Sequence, residues 1–207
     1  MHRTRLHALR PVSILVPLLA LLLAGCHRHP LHPPKGPPGG RLGPDAIRLA
    51  SRLFVPAKGM EKGLRDVLGT QPPGRERVHV LIQFERVPGL EERGRMARAL
   101  GVELLDPVPE RGFFAVIPAN PSVARRLLDE DHGVRWIGRI RPGDKIAPWL
   151  EDGEAIPDHA RRPGGRGELV VLFFGDVSEE DQRGVLERVG VQPLTRIVPV
   201  NGWRIVV

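Results

Sequence analysis

Cys26 is the one cysteine among 207 residues, so no internal disulfide can form. His27, His29 and His32 alternate just after it and have the chemistry of metal ligands. They stand in a proline- and glycine-rich run without the preorganised shell a specific site needs, so no metal is expected there. Asp144, Glu151, Asp152, Glu154 and Asp158 cluster further on, and grouped carboxylates can do acid–base work or bind calcium. Their spacing fits no EF-hand loop, and the intervening glycines and prolines predict a solvated connection. Four serines exist: Ser13 lies in an apolar leader, Ser122 and Ser178 open predicted helices, and Ser51 is the fourth. His79, between Val78 and Val80, falls at the outward phase of a strand and is read as a surface residue. No glycine-rich phosphate loop follows a strand. The chain is therefore expected to carry no catalytic residues and to need no cofactor.

Charge excludes another class. The formal charge is +7, of which Arg3, Arg5 and Arg10 in the leader carry three, leaving +4 on the remainder. Signs are interleaved, as in Glu91-Glu92-Arg93, and tyrosine is absent, so neither a basic stripe nor a base-stacking platform is available for nucleic acid.

The element that positions Cys26 is a secretion signal. Residues 1–10 are basic, and residues 12–24 are apolar, fewer than the ~20 needed to span a bilayer. Pro17 would also kink a spanning helix. Leu23-Ala24-Gly25-Cys26 then resembles the lipobox of bacterial lipoproteins. That resemblance implies that Cys26 receives a diacylglycerol and becomes the new N-terminus, with palmitate-type acyl chains anchoring the chain to a membrane. His27 follows in place of the aspartate associated with inner-membrane retention, so the periplasmic face of the outer membrane is the favoured destination.

Behind the signal (1–25) comes a Pro/Gly/His-rich tether (26–44), too poor in apolar residues to bury a core. An N-terminal extension (45–76) holds a short helix around Met60–Leu68, ended by Gln71-Pro72-Pro73-Gly74. From 77 to 141 the pattern is regular. Val78, Val80, Ile82 and Phe84 alternate as a half-buried strand; a helix spans 89–100 and stops at Gly101; strands follow at 102–105 and 113–117. Asn120-Pro121 opens a helix running to about Asp129, and residues 134–140 close the unit as a strand. The order is βαββαβ, the ferredoxin-like arrangement, and the fold class is α+β.

After a connection at 142–166 the pattern restarts. Leu169–Phe174 is a strand, Ser178 caps a helix, and strands follow at 191–197 and 203–207. Aligning Gly101-Val102 with Gly190-Val191 sets Leu105 against Leu194, Phe114 against Trp203 and Val116 against Ile205. This copy (167–207) is an incomplete βαββ. Without a last strand the edge of Leu169–Phe174 is left open, and Leu169, Val171 and Phe173 mark a protein-binding edge. Trp136 and Trp203 are assigned to core or inter-module packing.

Arg77–Phe84, Leu100-Gly101-Val102-Glu103-Leu104-Leu105 and Gly133–Arg139 together resemble the N-terminal, propeptide-like region of bacterial subtilisin-like serine proteases. The resemblance implies an inhibitor-type βαββαβ unit that packs its sheet on a protease. No serine here stands in the Gly-Thr-Ser context of that family's nucleophile, so the catalytic domain is absent. Three functions follow as expectations: an envelope lipoprotein that binds a protein or peptide, a serine protease among its partners; a truncated N-terminal part of such a protease; or a passive spacer.

Overall fold

The computed structural model describes residues 43–72, 76–129, 131–151 and 156–207. Two short strands, β1 (Ile47–Arg48) and β2 (Leu53–Phe54), pair as a hairpin. Then come β3 (Gly59–Met60), α1 (Leu64–Gly69), β4 (Arg77–Phe84), α2 (Leu90–Leu100), β5 (Glu103–Val108), β6 (Gly112–Pro118), α3 (Pro121–Asp129) and β7 (Val134–Arg139). The remainder holds α4 (Pro148–Glu151), β8 (Arg161–Arg162), β9 (Arg166–Leu172), α5 (Glu179–Arg188), β10 (Gln192–Ile197) and β11 (Gly202–Val206). The class is α+β.

The larger sheet has the order β3-β7-β4-β6-β5. Every pairing is antiparallel except the two-residue parallel contact of β3 with β7. Met60, expected in the short helix, lies in β3 instead, and α1 begins only at Leu64. The local caps work as their residue types predict. Gly101 closes α2 in the left-handed region, where a side chain is disfavoured, and the Asn120 carboxamide accepts from the Ser122 amide at the start of α3.

On one face Val80, Ile82, Phe84, Phe113, Ala115 and Ile117 meet Met96, Leu100 and Leu127 from the helices. The strand was expected to be half-buried, yet β4 is buried continuously from Val80 to Phe84. The reason lies on the opposite face, which the chain covers itself. Leu81, Phe114 and Trp136 pack there against Ile47, Leu49 and Phe54 of the N-terminal strap and against Phe174 from the second module. A sheet covered on both sides reads as a nearly unbroken apolar run, as β6 does over Phe113–Ile117.

Polar clamps hold the strap. Asp144, expected in a solvated connection, is buried; it takes both Arg52 nitrogens at 2.6 and 2.8 Å, the Ser51 hydroxyl at 3.0 Å and the Arg141 amide at 2.9 Å. Burial pushes the Asp144 carboxyl up, but these donors outweigh it and hold it below the usual carboxylate range. Asp45 bridges Arg111 and Arg135, and Arg52 also lies over the Phe54 ring at 3.9 Å.

The second sheet has the order β10-β11-β9-β8. Leu169, Val171 and Phe173 share a core with Val185, Leu186, Trp203 and Ile205. Strand pairing corrects the repeat alignment. Ile82 pairs with Phe113, and Val171 pairs with Trp203, so Trp203 answers to Phe113 rather than Phe114. Ile205 likewise answers to Ala115 rather than Val116, since Leu169 takes it as Val80 takes Ala115. The turn between β10 and β11 holds one residue more than the turn between β5 and β6, and a one-residue slip sends every later side chain to the other face. Trp136 and Trp203 both sit in cores, as assigned.

Candidate functional site

Cys26, the lipobox residues Leu23, Ala24 and Gly25, and His27, His29 and His32 lie outside the described residues. Among the described residues no three His, Cys, Asp or Glu side chains converge as a metal site, and no helix is long and apolar enough to cross a membrane. Ser51 donates to Asp144, Ser178 caps α5 by accepting from the Asp181 amide, and Ser122 opens α3.

The edge marked by Leu169, Val171 and Phe173 is built differently from what those residues suggest. Their side chains turn toward α5 and join its core. Gly167 exchanges both backbone bonds with Val207, and the Phe173 amide donates to Asn201, so by alternation odd-numbered residues bond toward β11. The backbone groups facing the opposite edge belong to Glu168, Val170 and Leu172. Beside that edge β8 pairs only with Arg166 and Gly167. Among the described residues no strand accompanies β9 from Glu168 onward. Glu168 itself is paired with Arg162 of β8 and Arg204 of β11.

Other sheet edges are blunted. Pro107 follows a register break in β5 and Pro193 precedes one in β10. Proline and bulges both deter pairing with a further strand. Between Glu168 and Leu172 there is no proline.

Adjacent residues at the end of β9 serve different modules. Phe173 enters the α5 core, whereas Phe174 is fully buried against the first module, 4.4 Å from the stacked His79 ring and 5.4 Å from Phe114. His79, read from sequence as a surface residue, is covered here, and its Nε2 lies 2.8 Å from Asp176 Oδ1. Burial raises the Asp176 carboxyl, and the His79 contact more than offsets this, so it titrates below the ordinary value. Gln182, also fully buried, is satisfied by Val177, Asn201 and the Trp203 indole, and Asn201 donates on to the Phe174 carbonyl.

A cleft of about 520 Å³ opens where β4 begins and β7 ends. Leu64, Val67, Val78, Ile140 and Pro142 wall it, and Arg77, His79, Arg139, Arg141 and Lys145 also line it. Glu61, just behind, accepts from the Arg139 amide at 2.6 Å and pairs with the Arg139 and Arg141 guanidiniums at 3.4 and 3.2 Å. Burial raises the Glu61 carboxyl, but these donors prevail and hold it low. Sequence reasoning missed this cleft because its residues come from three separate segments. One signal was legible: Arg77-Val78-His79 and Arg139-Ile140-Arg141 are both basic–apolar–basic triplets at the ends of partner strands.

Residues 48–141 match the family model described as a domain of unknown function, DUF8729. The match starts in the strap hairpin and stops just after β7, so it takes in the larger sheet and leaves β8 to β11 outside. No curated protein and no solved structure matches the chain.

Proposed function

We propose that the chain is an exported, non-catalytic lipoprotein, anchored through Cys26, that takes an extended segment of an envelope protein as a missing strand beside β9. In this reading both sheets derive from one ferredoxin-like unit, with the order βαββαβ in the first module and βαββ over β9 to β11 in the second. The single observation behind it is the contrast at equivalent edges. β7 accompanies β4 from Val80 to Phe84, whereas among the described residues no strand accompanies β9 from Glu168. Strand addition draws affinity from main-chain hydrogen bonds and specificity from alternate side chains. The resemblance to protease propeptides makes a serine protease one class of partner. Because the strap and Phe174 already cover the second face of the larger sheet, contact through that face would require displacing them, and the β9 edge is the accessible route.

The test uses the full chain in non-ionic detergent and a synthetic peptide with the sequence of residues 133–140, the strand that fills the equivalent slot in the first module. Saturating peptide should slow hydrogen exchange at Val170 and Leu172 at least tenfold. Unchanged exchange there overturns the reading. Metabolic labelling with palmitate checks the anchor separately, with label lost in Cys26→Ser and no label in the parent chain counting against it.

A further inference from the structure

The first described residues, from Gly43 onward, are held at one end of the larger sheet. The Arg111 guanidinium donates to the Pro44 carbonyl and pairs with Asp45. It also donates to the Glu85 carbonyl, just past the end of β4. Arg135 ties in a second segment, since it donates to the Pro56 carbonyl and pairs with Asp45 as well. The point where the chain enters the module therefore lies beside two loops, one before β3 and one before α2. Both carry bare apolar side chains. Leu90, the first residue of α2, is 86% exposed, and Val87 and Val55 are 55% and 60% exposed. Single exposed apolar residues are ordinary, but a group of them marks a surface that meets something else. The charges around this group are balanced inside the fold: Arg86 pairs with Glu92, Lys58 with Glu85 and Arg95 with Glu91. The Gly89 amide, between Val87 and Leu90, is already bonded to Glu92 at 2.8 Å.

We propose that Val87 and Leu90, with Val55, dock the first module on the surface of the bilayer that holds its anchor, Leu90 entering the boundary between headgroups and acyl chains. This rests on the anchoring at Cys26 proposed above. Two observations select lipid as the occupant. Sixteen residues separate Cys26 from Gly43, a reach of at most about 60 Å, and they deliver the module to the membrane by the end that carries these side chains. The rim of paired charges favours neither an anion nor a cation, which suits a zwitterionic surface over an apolar interior. Three side chains bury too little apolar area to hold a free protein on a membrane. A tether of this length keeps them at an effective concentration on the order of millimolar, at which a weak contact is populated. The lipid anchor brings the module to the bilayer, and the loop sets which end faces it.

The experiment places the lipidated mature chain in vesicles of phosphatidylcholine alone. With Cys26 acylated, Leu90→Cys supplies the one free thiol, which takes a nitroxide label; Leu194→Cys, at an exposed position in the second module, is the control. Electron paramagnetic resonance compares how often each label collides with oxygen, which concentrates in the bilayer, and with a water-soluble nickel chelate. The oxygen-to-nickel ratio should be at least about threefold higher at position 90 than at 194. High salt should leave it unchanged, and adding Val87→Asp should bring it down toward the control. Equal ratios at the two positions, in a chain that floats with the vesicles, overturn the docking and leave the anchor standing. A ratio that rises only with anionic lipid, or that ignores Val87→Asp, overturns the docking as well. A chain that does not float with the vesicles defeats anchor and docking together, because the loop alone is too small to hold it there.

Discussion

β4 and β9 occupy equivalent places in two sheets and meet opposite fates. Both run antiparallel to a central hairpin partner, and both send alternate side chains into a helix-covered core. β4 then gains β7 on its other side and a strap across its second face, so it is closed in every direction. Among the described residues the only strand β9 gains there is the two-residue β8. A shared order of strand, helix and hairpin therefore goes with similar local pairing but not with equal enclosure, because enclosure depends on chain outside those elements.

The sharpest way to break this comparison is proline at the corresponding edge positions. Leu81 and Val170 correspond through the pairing register, and each directs its amide away from the hairpin partner. Leu81→Pro removes a ladder bond to β7 and a fully buried side chain. It should cost at least about 3 kcal/mol, and the far-ultraviolet dichroism of the folded chain should be lost at 25 °C. Val170→Pro should lower the unfolding free energy in urea by less than about 1 kcal/mol while abolishing peptide-induced protection at Leu172. Equal destabilisation by the two would mean that the β9 edge is closed after all.

Phe174 is the next test, since it binds the two regions together. Its ring is fully buried against His79 and Phe114 of the first module. Phe174→Ala should cost about 3 to 5 kcal/mol. Hydrogen exchange should rise at Leu81 and Phe114 as well as in β9. A loss confined to residues 166–206 would show that the first module does not depend on this contact.

Arg52→Ala asks whether the strap is a structural part of the first module. It leaves Asp144 buried without its guanidinium and should cost about 3 kcal/mol by chemical denaturation. Asp144→Asn in the Arg52→Ala background should recover part of the loss, because it removes the unpaired charge. No recovery would place the cost in the lost packing of Arg52 on Phe54 instead.

What the sequence made legible follows from range. Elements with local signals landed within a few residues: the Gly101 stop of α2, the Asn120-Pro121 opening of α3 and the Ser178 cap of α5. Met60 escaped because its β3 contact is with Ile137, far along the chain, and helical periodicity cannot register such a partner. Asp144 looked solvated because its glycine and proline neighbours signal a loop; its burial comes from Ser51 and Arg52, more than ninety residues earlier. Trp203 was misaligned for a smaller reason, one extra residue in a turn. Which backbone groups the edge of β9 presents could be read only from the hydrogen-bond register.

The smallest expected effect concerns the polar latch at the junction, and pH resolves it from the strap clamp. Asp144 and Asp176 both have folded-state carboxyls held below the ordinary value, the first by Arg52, the Arg141 amide and Ser51, the second by His79 with Arg77 nearby. A depressed carboxyl contributes stability that is fully present above its unfolded value, about 3.9, and disappears as pH falls through the folded value. The chain should therefore lose stability on acidification below about pH 4. Asp144 has the two-point guanidinium contact and should carry more of that loss. Asp176→Asn keeps a hydrogen-bonding group for His79, so at neutral pH it should cost only about 1 kcal/mol. It should also make the acid limb of a stability–pH curve shallower, though less so than Asp144→Asn does. An acid limb unchanged by Asp176→Asn would mean that Phe174 alone, and not its charged neighbours, holds the two regions in register.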